Sequence, residues 1–335
     1  MTRLSYLAAI GEAQREAMSA DPRVILIGED IQSNLYGTAP NFVELFGVER
    51  VRNAPISEEG FVGAAAGAAM TGLRPIVDLT YASFMYMAMD QFVNQVAKNR
   101  YMFGGQASLP VVYRASMFYR SSTAAHHSDR PYPMFMNVPG LKIMAPSGAH
   151  DAKGLLRTAI ELDDPVLSFE DATLWTKKQD LPDEEFRIPF GVASIVAAGS
   201  DVTVVAIAGA VEEAKRAVTA LTGEGVSVEL VDPRTLVPLD VETILASVAK
   251  TGRLVVADPA HRTCGAAAEI SALVNEYGFG LLKAPIVRVN TPDIQIPFSP
   301  PLERPLYPSS SRIQAAVRRV IEYDPSGGDP ITMRG

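Results

Sequence analysis

The sequence predicts an α/β protein of two consecutive domains, each a parallel sheet with helices on both faces. Three observations carry this. Short, almost continuous apolar runs alternate with helix-like segments from end to end, the pattern of parallel strands buried on both faces. The 335 residues leave room for two cores. A charged stretch without periodicity, Lys177–Arg187 (KKQDLPDEEFR), interrupts the alternation and reads as a linker. The domains then fall at residues 1–180 and 188–323, and residues 324–335, with Gly327, Gly328 and Pro330, read as a frayed, flexible tail.

The elements follow in order. Tyr6, Ala9, Ile10, Ala13 and Ala17 make the stripe of an opening helix. Val24–Gly28 reads as a buried strand, the small-residue run from Gly60 to Met70 as a helix, and Ile76–Leu79 as a strand. Phe84–Met102 reads as one long helix stopped by Gly104 and Gly105, a normal C-terminal signal. Pro110–Arg114 and Leu141–Ala145 are apolar strands. Asp151–Leu162 is a helix with Leu155, Leu156 and Ile160 on one side, and Val166–Phe169 a strand. In the second half, strands at Val202–Ala208, Val226–Val231 and Leu254–Asp258 alternate with helices at Val211–Leu221, Asp240–Val248 and Ala266–Glu276.

Composition excludes several classes. With 47% hydrophobic and 20% charged residues the chain is globular. A net charge of −8 repels phosphate backbones and argues against a nucleic-acid partner. The single cysteine, Cys264, excludes an intrachain disulfide and any CxxC site and fits a reducing cytoplasm. No apolar run approaches the ~18 residues of a membrane span, so no membrane association is expected. Glu12, Arg15 and Glu16 stand where a signal peptide would be apolar. GxGxxG after a strand, GxxxxGK[ST], HExxH and GxSxG are all absent, which removes the chemistries they carry. The histidines are His126, His127, His150 and His261. Adjacent His126 and His127 project in different directions, a poor chelate, so no metal site is expected.

The most informative stretch is Ala54–Pro75 (APISEEGFVGAAAGAAMTGLRP). Glu58 stands at the mouth of a segment made almost wholly of glycine and alanine. Small residues let another backbone approach, and an acid held in such a tight, partly dry place can have its proton affinity tuned. An ordinary first-turn acid favoured by the helix dipole explains the same spacing.

The landmarks Gly28-Glu29-Asp30, PISEEGFVGAAAGAAMTGLRPI, Met89-Asp90-Gln91, Arg100-Tyr101-Met102 with Gly104-Gly105-Gln106, His127-Ser128, VPGLKIMAPS and Val231-Asp232-Pro233-Arg234 together resemble one family. It is the β subunit of the thiamine diphosphate-dependent 2-oxo acid dehydrogenases, the decarboxylating component of the pyruvate, branched-chain and acetoin complexes, in the transketolase-like superfamily. The likeness runs from about Leu4 to Ile321. It implies a pyrimidine-binding domain followed by a transketolase C-terminal-like domain. The diphosphate motif, GDG with two later asparagines, is missing. The resemblance therefore implies an α subunit that holds the diphosphate and Mg2+, an α2β2 assembly, and a lipoyl acyltransferase core as a further partner.

Site residues follow by position. Glu58 aligns with the acid that contacts the pyrimidine nitrogen and stabilises the imino tautomer that takes the thiazolium proton, while the cofactor supplies the electron sink. Phe84 aligns with an aromatic packed on the pyrimidine. His127 aligns with the histidine that handles protons at the substrate or in acyl transfer, a suitable neutral-pH group. Glu29 and Asp90 align with acids near the subunit interface, in a proton relay or in structural ion pairs.

The chain departs from the pattern in the loop spanning residues 115–129. Met117, Phe118, Tyr119 and Arg120 replace a permissive, glycine-rich segment. Pro259 and Cys264 stand where an acid and a glycine are common. The monovalent-cation site near Ala159, Ile160 and Asp164 is only partly matched, since Leu162 replaces a polar residue, so no potassium is assigned. The first reading is a dehydrogenase β subunit that decarboxylates a small 2-oxo acid or cleaves acetoin and passes the acyl group to a lipoyl carrier. The alternatives are a two-component carboligase, acyloin-forming or transketolase-like, and a non-catalytic scaffold that kept the fold.

Overall fold

In the computed structural model, residues 1–324 are described; the tail expected from residue 324 onward lies almost entirely outside them. The chain divides into two compact units, Met1–Phe190 with Thr235–Pro238, and Gly191–Arg234 with Leu239 onward. Each has its own sheet.

The first unit carries a seven-stranded sheet in the order Thr235–Val237, Lys142–Met144, Val166–Asp171, Val112–Met117, Arg74–Tyr81, Val24–Gly28, Val51–Asn53. All neighbours are parallel except the edge strand Thr235–Val237. Tyr6–Ala20 and Ala149–Glu161 pack on one face, where Tyr6, Ile10, Leu155, Leu156 and Ile160 meet Val24, Leu26, Ile76 and Val112. The opening stripe buries Tyr6, Ala9, Ile10, Ala13 and Ala17 as its periodicity predicts.

The second unit carries the order Val287–Thr291, Leu254–His261, Val202–Ala206, Val228–Asp232, Ser194–Ala197, with only the last strand antiparallel. Helix Val241–Thr251 starts where the Asp240 side chain accepts from the Thr243 amide at 3.0 Å, a standard N-cap. Cys264 has φ +55°, the left-handed conformation that glycine adopts without strain.

Two expectations are refined. The long helix over 84–102 is continuous but changes its winding, from a 3₁₀ segment Ala82–Ala88 through a π-helical segment Gln91–Val96 to an α-helix Ala97–Met102. Periodicity reported an apolar face but not the neighbouring helix Glu58–Met70. There a Cβ on Gly63 would come within 2.7 Å of the Gln91 Oε1, so the π-helical segment packs directly against that glycine. The charged stretch 177–187 is not wholly without regular structure. Lys178–Leu181 pairs antiparallel with Thr2–Ser5, and Arg187 reaches Glu161 at 2.7 Å. Its charges are the solvent side of a short two-stranded ribbon, and the units part instead at Phe190 and Gly191.

Candidate active site

In a parallel sheet every strand ends on the same side, so the loops after neighbouring strands converge there. Five of the seven strands deliver the candidate residues in this way. Glu58 follows Val51–Asn53, Glu29 and Tyr36 follow Val24–Gly28, Tyr81 and Phe84 end and follow Arg74–Tyr81, Phe118 and His127 follow Val112–Met117, and Trp175 follows Val166–Asp171.

Glu58 is the first residue of the helix Glu58–Met70 and is only 8% exposed. The free backbone N–H groups of that terminus favour a negative side chain. Glu29 comes close enough that the charge of Glu58 raises its proton affinity. Burial is the larger cause, and Asp30 and Asp78 add to it, so the Glu29 carboxyl is held above the usual carboxylate range. Gly28 faces Asp78 across the ladder, and a Cβ there would stand 2.8 Å from the Asp78 carbonyl oxygen.

The aromatic part centres on Tyr81. Its ring centroid lies 5.1 Å from Phe84, 4.8 Å from His127 and 4.3 Å from Phe118, while Phe84 and His127 are 5.7 Å apart edge to face. Phe118 in turn meets Trp175 at 4.8 Å. Tyr36 contacts both Tyr81 and Trp175. Burial first, and the nearby Tyr81, Asp78 and Glu29, raise the Tyr36 phenol, which ties the aromatic cluster to the carboxylates. Thr80, a β-branched residue at φ +57°, makes the sharp bend that presents Tyr81; it is held there as its amide donates to Asp78 Oδ1 at 2.9 Å. A conformation this unfavourable persists only where its surroundings enforce it.

Beneath the site lies a buried ionic network. Arg114 is 2% exposed and donates to Glu170 through two bonds of 2.8 Å, to Asp78 at 3.1 Å and to Gln14 at 3.0 Å. Asp78 is therefore fixed from below by Arg114 while it holds Thr80 above.

Of the residues singled out from the sequence, the fold brings Glu58 beside Glu29, and Phe84 beside His127. Asp90 is an exposed residue that accepts from Asn94 at 2.5 Å. The sequence reasoning missed Tyr36, Tyr81, Trp175, Asp78 and Arg114. The one available signal was Arg114, a charge inside the otherwise apolar run VVYRASM. Among the described residues no group of three or more His, Cys, Asp or Glu side chains could hold a metal, and no helix is long and apolar enough to cross a membrane.

Comparison with known proteins decides the family. Residues 2–176 match the transketolase pyrimidine-binding domain and 191–313 the transketolase C-terminal domain. The chain is 42% identical over 324 residues to the β subunit of acetoin:2,6-dichlorophenolindophenol oxidoreductase of Bacillus subtilis, covering 92% of this chain and 95% of that one. The chain belongs to the β subunits of the thiamine diphosphate-dependent 2-oxo acid and acetoin dehydrogenases. Other members of this β-subunit family are the pyruvate dehydrogenase E1 β subunit of Rickettsia felis, 40% identical over 96% of this chain and 99% of that one, and the 2-oxoisovalerate dehydrogenase β subunit of Bacillus subtilis, 35% identical over 96% and 100%. A solved split-gene transketolase, described as an inactive β4 tetramer, shares the β subunit's fold with a TM-score of 0.79 at 22% identity, covering 95% and 98%. As a β subunit of an E1 component, the protein works with an α subunit.

Proposed function

We propose that Glu58, Glu29, Phe84 and His127 form the β-chain half of the active site of a 2-oxo acid or acetoin dehydrogenase. The assembly is an α2β2 heterotetramer in the cytoplasm, and the acyl group passes to a lipoyl carrier on an acyltransferase core. The observation that carries the reading is the buried Glu58 at a helix N-terminus, with Glu29 beside it and the Tyr81–Phe84–His127 cluster on the adjoining loops. Glu29 Oε1, Thr80 Oγ1 and Ser83 Oγ are buried without hydrogen-bond partners. Buried orphan atoms at such an edge suit a polar heterocycle that offers donors and acceptors, as the aminopyrimidine does.

When bound, thiamine diphosphate supplies the electron sink for breaking the bond beside a carbonyl. The chain's own residues do the rest. Glu58 accepts a hydrogen bond from the pyrimidine nitrogen and keeps a proton there. Glu29 stands beside it, its proton affinity raised by burial and by the charge of Glu58. Phe84 gives the heterocycle an apolar face, and His127 donates or removes a proton at the substrate oxygen.

Purified with its α subunit, the wild type is expected to reduce dichlorophenolindophenol with acetoin or a small 2-oxo acid and to acylate a lipoyl peptide. Glu58→Gln is expected to lose ~10²–10⁴ of that rate. Full activity in the variant removes Glu58 from the mechanism. Acyloin formation with no lipoyl acylation would favour a carboligase instead.

A further inference from the structure

The bulky run Met117–Tyr119, where the strand Val112–Met117 passes into the loop after it, divides into residues facing inward and outward. Met117 is fully buried and Tyr119 is 3% exposed; the Tyr119 hydroxyl donates to Asp171, and the Arg130 guanidinium lies over its ring. These two belong to the core. Phe118, between them, is only partly buried and faces the site, against Tyr81 at 4.3 Å and against Trp175, edge-on, at 4.8 Å with an 82° interplanar angle.

Its backbone is fixed as well. The Thr123 hydroxyl donates to the Phe118 carbonyl at 2.7 Å. Its only proton is thereby committed, so in the 2.8 Å contact with Ser128 it is the Ser128 hydroxyl that donates. Ser128 is fully buried and directly follows His127. Arg120, Ser122 and Ala124 take φ +63°, +55° and +58°, a tightly wound path for residues with a Cβ. The loop cannot retreat without breaking this bond chain, and the two flanking rings limit rotation of Phe118.

We infer that Phe118 is a specificity-determining residue of the site, a fixed aromatic stop that favours a short acyl side chain over a branched one. This rests on the function proposed above and names the substrate class within it. Phe118 adjoins Tyr81, whose ring also touches Phe84 and His127, so volume held by its phenyl group is volume denied to the substrate beside those residues. A single methylene misfit in an apolar pocket discriminates by roughly 10–200-fold, so one ring suffices for the selection.

The test measures kcat/KM of the α–β complex for pyruvate, 2-oxobutyrate, 2-oxoisovalerate and acetoin, with dichlorophenolindophenol as acceptor. The wild type is expected to favour the short substrates. Phe118→Ala and Phe118→Gly are expected to raise the 2-oxoisovalerate to pyruvate ratio by at least about tenfold, chiefly through the KM for the branched acid. Phe118→Leu, which retains an apolar side chain, serves if the smaller residues prevent folding and is expected to shift the ratio in the same direction by less. A ratio unchanged in a folded, active variant overturns the inference and leaves the dehydrogenase reading standing. So does a wild type that already prefers the branched acid. A wild type that turns over none of the four substrates overturns the functional reading, and this inference with it.

Discussion

Arg114 and Glu170 meet as a parallel two-bond pair, 2.8 Å on each arm, with both side chains 2% exposed. The third arm of the guanidinium reaches Asp78 at 3.1 Å, and Asp78 holds the Thr80 amide. One interior cation thus fixes the turn on which Tyr81 and Phe84 are mounted. Arg114→Met is expected to leave two carboxylates buried without their counter-charge and to cost about 3–5 kcal/mol, read as a lowered denaturation midpoint of the α–β complex. Arg114→Lys is not expected to restore it, because an ammonium cannot make the paired bonds to Glu170 while also reaching Asp78.

Glu29 sets a pH dependence whose sign is opposite to that of an ion-paired acid. Burial, with Glu58 next in size, raises its folded-state proton affinity above the unfolded value. The protonated form is therefore favoured by folding. This contribution is fully present below the unfolded carboxylate value and is lost as pH rises through the raised one. Glu29→Gln, which cannot ionise, is expected to be more stable than the wild type at pH 7, with the advantage shrinking toward pH 4. Equal melting temperatures for the two proteins at pH 7 would contradict the cause assigned here.

His127 is partly buried and packs edge-on against Tyr81 and Phe84. His127→Asn is expected to lower the dye-linked rate by ~10²–10⁴, with a melting temperature close to that of the wild type. A large loss of stability with activity retained would make the residue a packing element rather than a proton carrier.

Trp175 is the only tryptophan in the chain, and Phe118 lies edge-on to it. Removing that ring in Phe118→Ala is expected to let water reach the indole and to move its emission to longer wavelength. The fluorescence of the β chain then reports directly on the loop, independently of any substrate. Emission identical to the wild type would show that another group has filled the space.

Gly140 tests the scaffold away from these residues. Its φ is +102°, and a Cβ there would stand 2.1 Å from the Ala97 carbonyl oxygen. Gly140→Ala combines left-handed strain with overlap against rigid backbone, and a loss of about 3 kcal/mol or more is expected. Thermal unfolding of the complex measures it.

The amino-acid order by itself determined the two α/β units, the opening helix, most strand positions and the family. Each of these rests on local signals: apolar runs, one helical stripe, and ordered motifs around Glu58, Asp90 and His127. Tertiary structure alone decided the rest. The contact of Gln91 with Gly63 and the ribbon of residues 178–181 with the strand at residues 2–5 each join segments distant in sequence. The site was half legible for the same reason. Glu58 and His127 stand in recognisable motifs, whereas Tyr36, Tyr81, Phe118 and Trp175 meet only because parallel strands deliver their loops to one edge. A side chain's chemistry is written at its own position, but its neighbours are chosen by the order of strands in the sheet.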